Sequence, residues 1–184
     1  MKYQKTIFSH EMSPETFKWI RKSLGLTQNN LAEILGVSDK TIQRYETQDL
    51  MITGPTVTLL NILYLNPNLL KKYSLPIKNY TLRFLYKHRD VTTALIDVNP
   101  ITREISVINY TDDIYLRPFG NKDNPSYEDY QALLQYRCPP ENRDNLELEL
   151  KRIGVPFYDP FLIVSKTKGK MEGDYFSLEV IEND

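Results

Sequence analysis

Residues 27–46 read TQNNLAEILGVSDKTIQRYE, and they carry the clearest structural signal in the N-terminal half. Thr27 and Ser38 are hydroxyl residues of the type that cap helix N-termini, and Gly36 stands where a left-handed turn would separate two helices. Apolar side chains recur at helical spacing and would pack the helices together: Leu31, Ala32, Ile34, Leu35, Val37, Ile42 and Tyr45. The pattern predicts two short helices joined by a tight turn.

Three further helices are predicted around this pair. One begins at Ser13-Pro14, one begins at Gly54-Pro55, and a short one follows Asn66-Pro67 and runs through Tyr73. The side chains expected on the inner faces of the first two recur three or four residues apart: Phe17, Ile20, Arg21, Leu24, Val57, Leu60, Leu63 and Tyr64. We therefore expect residues 1–75 to form an all-α domain of five helices.

The periodicity changes after residues 73–79, YSLPIKN, which look like a linker. Downstream, segments rich in β-branched and aromatic residues predict strands, and two amphipathic stretches and Asp159-Pro160 predict helices. The strands are expected at 80–88, 91–98, 105–110 and 175–181. Two helices are expected near 127–136 and at 143–153, and a third runs from Asp159-Pro160 through Val164. Residues 80–184 should therefore form an α+β domain with an antiparallel meander.

Composition excludes several function classes. The single cysteine, Cys138, rules out an intramolecular disulfide framework and a cysteine-rich zinc module, and His10 and His88 are too few for a three-histidine zinc site. The sequence has no glycine-rich phosphate loop, and Asp112-Asp113 would point to opposite faces of a strand, so a turn is expected there. We expect no catalytic residue, no metal and no cofactor, and hence no enzyme.

Charge divides the chain at the same place as periodicity. Residues 1–79 carry ten Lys and Arg against six Asp and Glu, whereas residues 80–184 carry thirteen against eighteen. The basic half is the candidate for an anionic partner, and the acidic half would be repelled by phosphate. No stretch has the length of a membrane span and the N-terminus lacks the apolar core of a secretory signal, so we expect a cytoplasmic protein with no membrane partner.

Residues 13–73 resemble the DNA-binding domain of the Cro-type phage-repressor, or XRE-like, family. The residues that carry the resemblance are Thr27-Gln28, Leu31-Ala32, Leu35-Gly36-Val37-Ser38, Thr41-Ile42 and Tyr45-Glu46. The resemblance implies a five-helix, lambda-repressor-like fold. Gln48 departs from a position where the family often has glycine. Residues 52–63 with Asn66-Pro67 look like the version found in the antitoxins of toxin–antitoxin systems, without the zinc module that some of those carry.

In this family the second helix of the pair enters the DNA major groove, and the first crosses the backbone. Arg44 and Lys40 would then reach guanine, Asp39 would accept from a cytosine amino group, and Gln28 would contact phosphate. The DNA-binding residues implied by the resemblance are Gln28, Ser38, Asp39, Lys40, Thr41, Gln43 and Arg44. The alternative is that Lys40 and Arg44, four residues apart, form only a solvated basic face.

Residues 115–180 resemble small uncharacterised bacterial proteins encoded beside Hip-type toxin kinases or in mobile elements. The phrases that carry this resemblance are Arg137-Cys138-Pro139, Tyr158-Asp159-Pro160, Lys166-Thr167-Lys168-Gly169 and Asp174-Tyr175-Phe176. No chemistry follows from it. Arg137 and Arg143 have two interpretations, either ion pairs with nearby acidic residues or contacts to an acidic partner or a nucleic acid. Cys138 is expected to be a buried thiol.

Two functions are compatible with these patterns. The main hypothesis is a sequence-specific transcriptional regulator, acting as a repressor, that binds double-stranded DNA as a homodimer. In this hypothesis residues 80–184 form the dimer or bind a partner or effector. The alternative is an antitoxin or inhibitor whose acidic residues 80–184 bind a protein partner, with DNA binding serving autoregulation.

Overall fold

The computed structural model describes residues 7–78 and 80–181. Within these ranges, the N-terminal unit contains five α-helices and a two-stranded sheet, and it ends at Ser74. The short strands β1 and β2 pair antiparallel, with Met12 opposite Ile52. In chain order the elements are β1 (Glu11–Met12), α1 (Pro14–Ser23), α2 (Gln28–Leu35), α3 (Asp39–Thr47), β2 (Ile52–Thr53), α4 (Pro55–Leu65) and α5 (Asn68–Tyr73).

Side-chain caps begin three of these helices. The hydroxyls of Ser13, Thr27 and Ser38 accept from backbone N–H groups three residues on, at 3.2, 3.1 and 3.3 Å. A cap of this kind stabilises a helix by about 1 kcal/mol. Gly36 ends α2 in the left-handed conformation, with φ of 64°. The helix starts and the tight turn predicted from the sequence are therefore confirmed.

The core of the N-terminal unit is formed by all four longer helices and the small sheet. Its buried side chains are Met12, Phe17, Ile20, Leu31, Ala32, Ile42, Ile52, Val57 and Leu60. Two predicted inner residues are wrong, because Ile34 and Tyr64 are 38% and 39% exposed. The buried stripe of α2 is centred on Leu31, Ala32 and Leu35, which leaves Ile34 at its edge.

Tyr64 packs on Trp19 at the surface rather than in the core. The two rings lie 5.4 Å apart between centroids, and the Trp19 side chain is itself exposed. Two partly exposed rings thus shield each other along α1 and α4, which accounts for an aromatic residue at an outer position.

The C-terminal unit begins at Leu75 and places helices against an antiparallel sheet. Within its described residues, 75–78 and 80–181, the strand order is β5-β4-β3-β6. The elements are β3 (Leu82–His88), β4 (Val91–Asn99), β5 (Glu104–Asn109), a 3₁₀ turn (Ile114–Leu116), α6 (Tyr127–Tyr136), α7 (Leu146–Arg152), α8 (Pro160–Thr167) and β6 (Phe176–Val180). The chain is therefore α+β, and the predicted meander is confirmed.

The core of this unit lies between one sheet face and the helices. Phe84, Ala94, Ile96 and Val98 point from the strands, and Leu133, Leu134, Ile163 and Val164 are among the side chains of α6 and α8 that cover them. The helix expected at 143–153 is shorter than predicted, because Asn145 adopts a left-handed conformation with φ of 62° and α7 starts after it. No helix in the described ranges is long and apolar enough to cross a membrane.

Candidate functional site

The outer face of α3 carries mostly exposed side chains, whereas its inner face is part of the core. Ile42 is completely buried and Tyr45 is half-buried. The residues predicted to contact DNA lie on the other side, and Ser38, Asp39, Lys40, Gln43 and Arg44 are exposed while Thr41 is half-buried. Six of the seven predicted site residues therefore lie on or beside one short helix.

Lys40 and Arg44 are the two cations of this face. They stand one helical turn apart on α3, and neither forms a salt bridge within residues 7–78 and 80–181. The Arg44 guanidinium carbon lies 5.6 Å from the ring centroid of Tyr45, which is a cation–π distance. Both charges remain available to an anion.

Asp39 is tied to the start of α2. The side-chain amide of Asn29, in the orientation its neighbours favour, donates to the two Asp39 carboxylate oxygens at 2.9 and 3.1 Å. Asp39 also occupies the first turn of α3, where a negative charge is favourable beside the helix N-terminus. These contacts hold the first turns of α2 and α3 together.

Ser38 and Thr41 already share a hydrogen bond. Their hydroxyl oxygens lie 3.0 Å apart, and the Thr41 backbone N–H donates to Ser38. The two side chains thus complete the first turn of α3. Only one of the two hydroxyl protons is used in this bond, so the other hydroxyl can donate to an incoming acceptor at the edge of the helix.

Gln28 is positioned by a buried ion pair that the sequence analysis did not identify. Its Nε2 donates to Glu46 Oε2 at 2.9 Å. Glu46 also accepts from Arg21 Nε and Nη2 at 2.5 and 3.0 Å, and Arg21 Nη1 donates to the Leu26 carbonyl at 2.7 Å. The pair is buried, with 2% of the Glu46 side chain exposed. The sequence feature that points to this pair is Arg21, an arginine within the apolar stripe of α1.

Burial and hydrogen bonding act in opposite directions on Glu46. Burial by itself raises the pKa of this carboxyl, but hydrogen bonds from Arg21 and Gln28 outweigh it, so the pKa lies below its ordinary value. Glu46 is therefore ionised at neutral pH and holds Gln28 at the N-terminus of α2. The candidate site is therefore a pair of helices, α2 and α3, whose side chains are linked by internal hydrogen bonds and whose exposed face is that of α3.

In the C-terminal unit, the ion-pair interpretation of the two arginines is confirmed. Arg137 Nη1 donates to Asp174, and Arg143 Nη2 lies 3.3 Å from Glu149 Oε1. Cys138 is buried, and burial raises its pKa to about 11, which keeps the thiol protonated. The turn expected at Asp112-Asp113 is confirmed too, because Asp113 caps the 3₁₀ turn by accepting from the Tyr115 N–H at 3.0 Å.

Metal ligands do not cluster in the parts of the chain that the structure describes. Across these ranges, no three His, Cys, Asp or Glu side chains lie close enough together to hold a metal ion.

Residues 1–73 match a family model described as the antitoxin component of a bacterial toxin–antitoxin system, MqsA. No curated protein matches the chain. The family match spans α1 to α5, including Gln28 and all of α3, and ends before β3. It favours the antitoxin alternative over the main hypothesis of a transcriptional repressor. The N-terminal region of this chain is therefore similar to this antitoxin family.

Proposed function

We propose that this protein is the antitoxin of a toxin–antitoxin pair, with DNA binding by its N-terminal unit and toxin binding by its C-terminal unit. The observation that supports the proposal most strongly is the antitoxin family match over residues 1–73, the same residues that present an exposed basic helix face. An antitoxin that also binds its own operator links toxin neutralisation to control of its own synthesis.

For the DNA-binding half, α2 and α3 act as a helix-turn-helix of the XRE-like type. α3 enters the major groove, where Arg44 donates to guanine O6 and N7 and Lys40 donates to guanine or to phosphate. Asp39 accepts from a cytosine amino group, and Gln28 at the N-terminus of α2 contacts phosphate. Ser38, Thr41 and Gln43 contact the backbone at the edges of the helix.

One unit of this size reaches only a short half-site, and such binding is weak. A homodimer placing two α3 helices about 34–36 Å apart would read two half-sites on one face of the DNA. Neutralisation of phosphates by lysine and arginine also makes the affinity fall steeply as salt concentration rises.

For the toxin-binding half, the best candidate surface is an open groove along α7. It is lined by acidic side chains, Glu141, Asp144 and Glu147, and by the apolar side chains of Leu148 and Phe157, which are mostly exposed. Arg143 and Lys151 also line it, so the groove carries a small negative excess. Exposed apolar anchors with a charged rim are typical of a protein interface, and this charge fits a basic toxin surface.

The experiment separates the two halves with matched variants. The product of the adjacent gene is induced in a bacterial host with and without this protein, and growth is measured. Binding of the purified chain to its own promoter is measured by fluorescence anisotropy. Lys40→Gln/Arg44→Gln should abolish promoter binding and leave growth rescue intact. Lys71→Gln/Lys72→Gln, which removes the same charge from exposed positions on α5, should change neither.

The converse variant is Leu148→Ser/Phe157→Ser, which should abolish growth rescue and leave promoter binding intact. Both side chains are exposed, so folding should not depend on them. Promoter binding without any growth rescue by the wild-type chain would contradict the antitoxin proposal and favour a regulator without a toxin partner.

A further inference from the structure

A cavity of about 530 Å³ lies in the C-terminal unit among α6, α7 and α8. Its apolar lining includes Leu150 on α7 and Ile153 just after that helix. Ile163 on α8 and Met171 in the loop after α8 also line it. This volume is within the range of small-molecule sites, which combine an apolar wall with a few polar groups.

The charged lining of this cavity is mostly positive, although the unit as a whole is acidic. Arg137, Arg143, Arg152 and Lys170 line it, against Glu149 and Glu172. Arg143 is paired with Glu149. Arg152 and Lys170 are exposed, and neither has a salt bridge to any residue in the described part of the chain. Two cations at one cavity are therefore free to bind an anion.

Arg137 adds a buried positive charge with unused donors. Its side chain is 1% exposed and pairs with Asp174 through Nη1, while Nε and Nη2 have no hydrogen-bond partner among the described residues. The ring centroids of Tyr136 and Phe176 lie 6.0 and 5.7 Å from its guanidinium carbon, and these contacts compensate only partly for the missing hydrogen bonds. Buried donors without acceptors are costly, so this guanidinium favours a nearby negative charge.

We propose that this cavity binds a small phosphate-bearing ligand with an apolar body, and that the C-terminal unit therefore has a ligand site besides its toxin surface. Arg152 and Lys170 bind the phosphate, and the buried guanidinium of Arg137 adds positive electrostatic potential. The apolar side chains that line the cavity contact the apolar part of the ligand. A dianion matches two free cations better than a single carboxylate, and the arginine fork suits phosphate oxygens. The inference depends on neither DNA binding nor toxin binding.

The test uses the full chain and isothermal titration calorimetry, with adenosine monophosphate as the probe and adenosine and inorganic phosphate as partial probes. We expect adenosine monophosphate to bind and adenosine to bind at least about tenfold more weakly, because the phosphate contributes charge-assisted hydrogen bonds. Inorganic phosphate should compete with adenosine monophosphate for the site.

The decisive variant is Arg152→Gln/Lys170→Gln, which should weaken adenosine monophosphate binding by about 100-fold, since two charge-assisted hydrogen bonds are removed. The matched control is Lys151→Gln/Lys166→Gln, which makes the same charge change at exposed neighbouring positions outside the cavity lining, and it should change affinity less than about twofold. Circular dichroism verifies that both variants are folded.

Three results would overturn the proposal. They are absence of binding by both adenosine monophosphate and phosphate, equal weakening by the two double variants, and binding of a single-stranded oligonucleotide without binding of the mononucleotide. Growth rescue and promoter binding are measured separately, so a failure here is distinguishable from a failure of the antitoxin function.

Discussion

Replacing Glu46 by alanine removes the acceptor that holds α1, α2 and α3 together. Glu46 accepts two hydrogen bonds from Arg21 and one from Gln28, at 2.5, 3.0 and 2.9 Å, and the side chains of the ion pair are 10% and 2% exposed. Removing one partner of a buried pair leaves the other charge uncompensated, which costs about 3–5 kcal/mol. We expect the free energy of unfolding of the N-terminal unit to fall by that amount.

The assay is urea unfolding of the full chain followed by tryptophan fluorescence. Trp19 is the single tryptophan, and it lies on α1 against Tyr64, so its signal reports on the N-terminal unit. Glu33→Ala is the control, because Glu33 is exposed on α2, and it should change stability by less than about 0.5 kcal/mol. A loss below about 1 kcal/mol for Glu46→Ala would refute the reasoning that Arg21 depends on this carboxylate.

Three further predictions concern the same residues and the two sites. The pKa of Glu46 lies below its ordinary value, so the stability it contributes is present above pH 4.5 and is lost as pH falls through the lowered pKa. The difference between wild type and Glu46→Ala should therefore shrink in acid, which urea unfolding across pH checks. Arg44→Ala should cost about 1–3 kcal/mol at one base position and relax specificity there; equal loss on all sequences would assign Arg44 to phosphate. Cys138, with its pKa raised to about 11, should react with Ellman's reagent at pH 8 far more slowly in the native protein than in urea.

The sequence predicted those elements whose signals are local. Hydroxyl caps at Ser13, Thr27 and Ser38 and a glycine at residue 36 located the ends of helices, because capping depends on residues within one turn. Alternating and β-branched segments located β3, β4 and β5, since neighbouring strands joined by short turns pair in sequence order.

Pairings between distant segments could not be predicted in the same way. β1 and β2 are two residues long, too short for any periodicity, and the fold of the helices between them brings the two strands into their antiparallel pairing. β6 was expected as a strand, but its place beside β3 is decided by packing over α8. The prediction that Ile34 and Tyr64 face the core is wrong, because helical periodicity gives the direction of an apolar stripe and not its width.

For the candidate DNA-binding site, the residues that share one face of α3 can be predicted from the sequence, because side chains four positions apart are neighbours on any helix. Which of those side chains already have hydrogen-bond or ion-pair partners depends on how the helices pack. Glu46 holds Gln28 across the interface between α3 and α2, and Ser38 binds Thr41, while Lys40 and Arg44 form no salt bridge to the residues described. The faces of a helix follow from local backbone geometry and can therefore be derived from the sequence. Ion pairs such as Arg21–Glu46 join residues 25 positions apart in the chain, and these residues meet only when the helices pack.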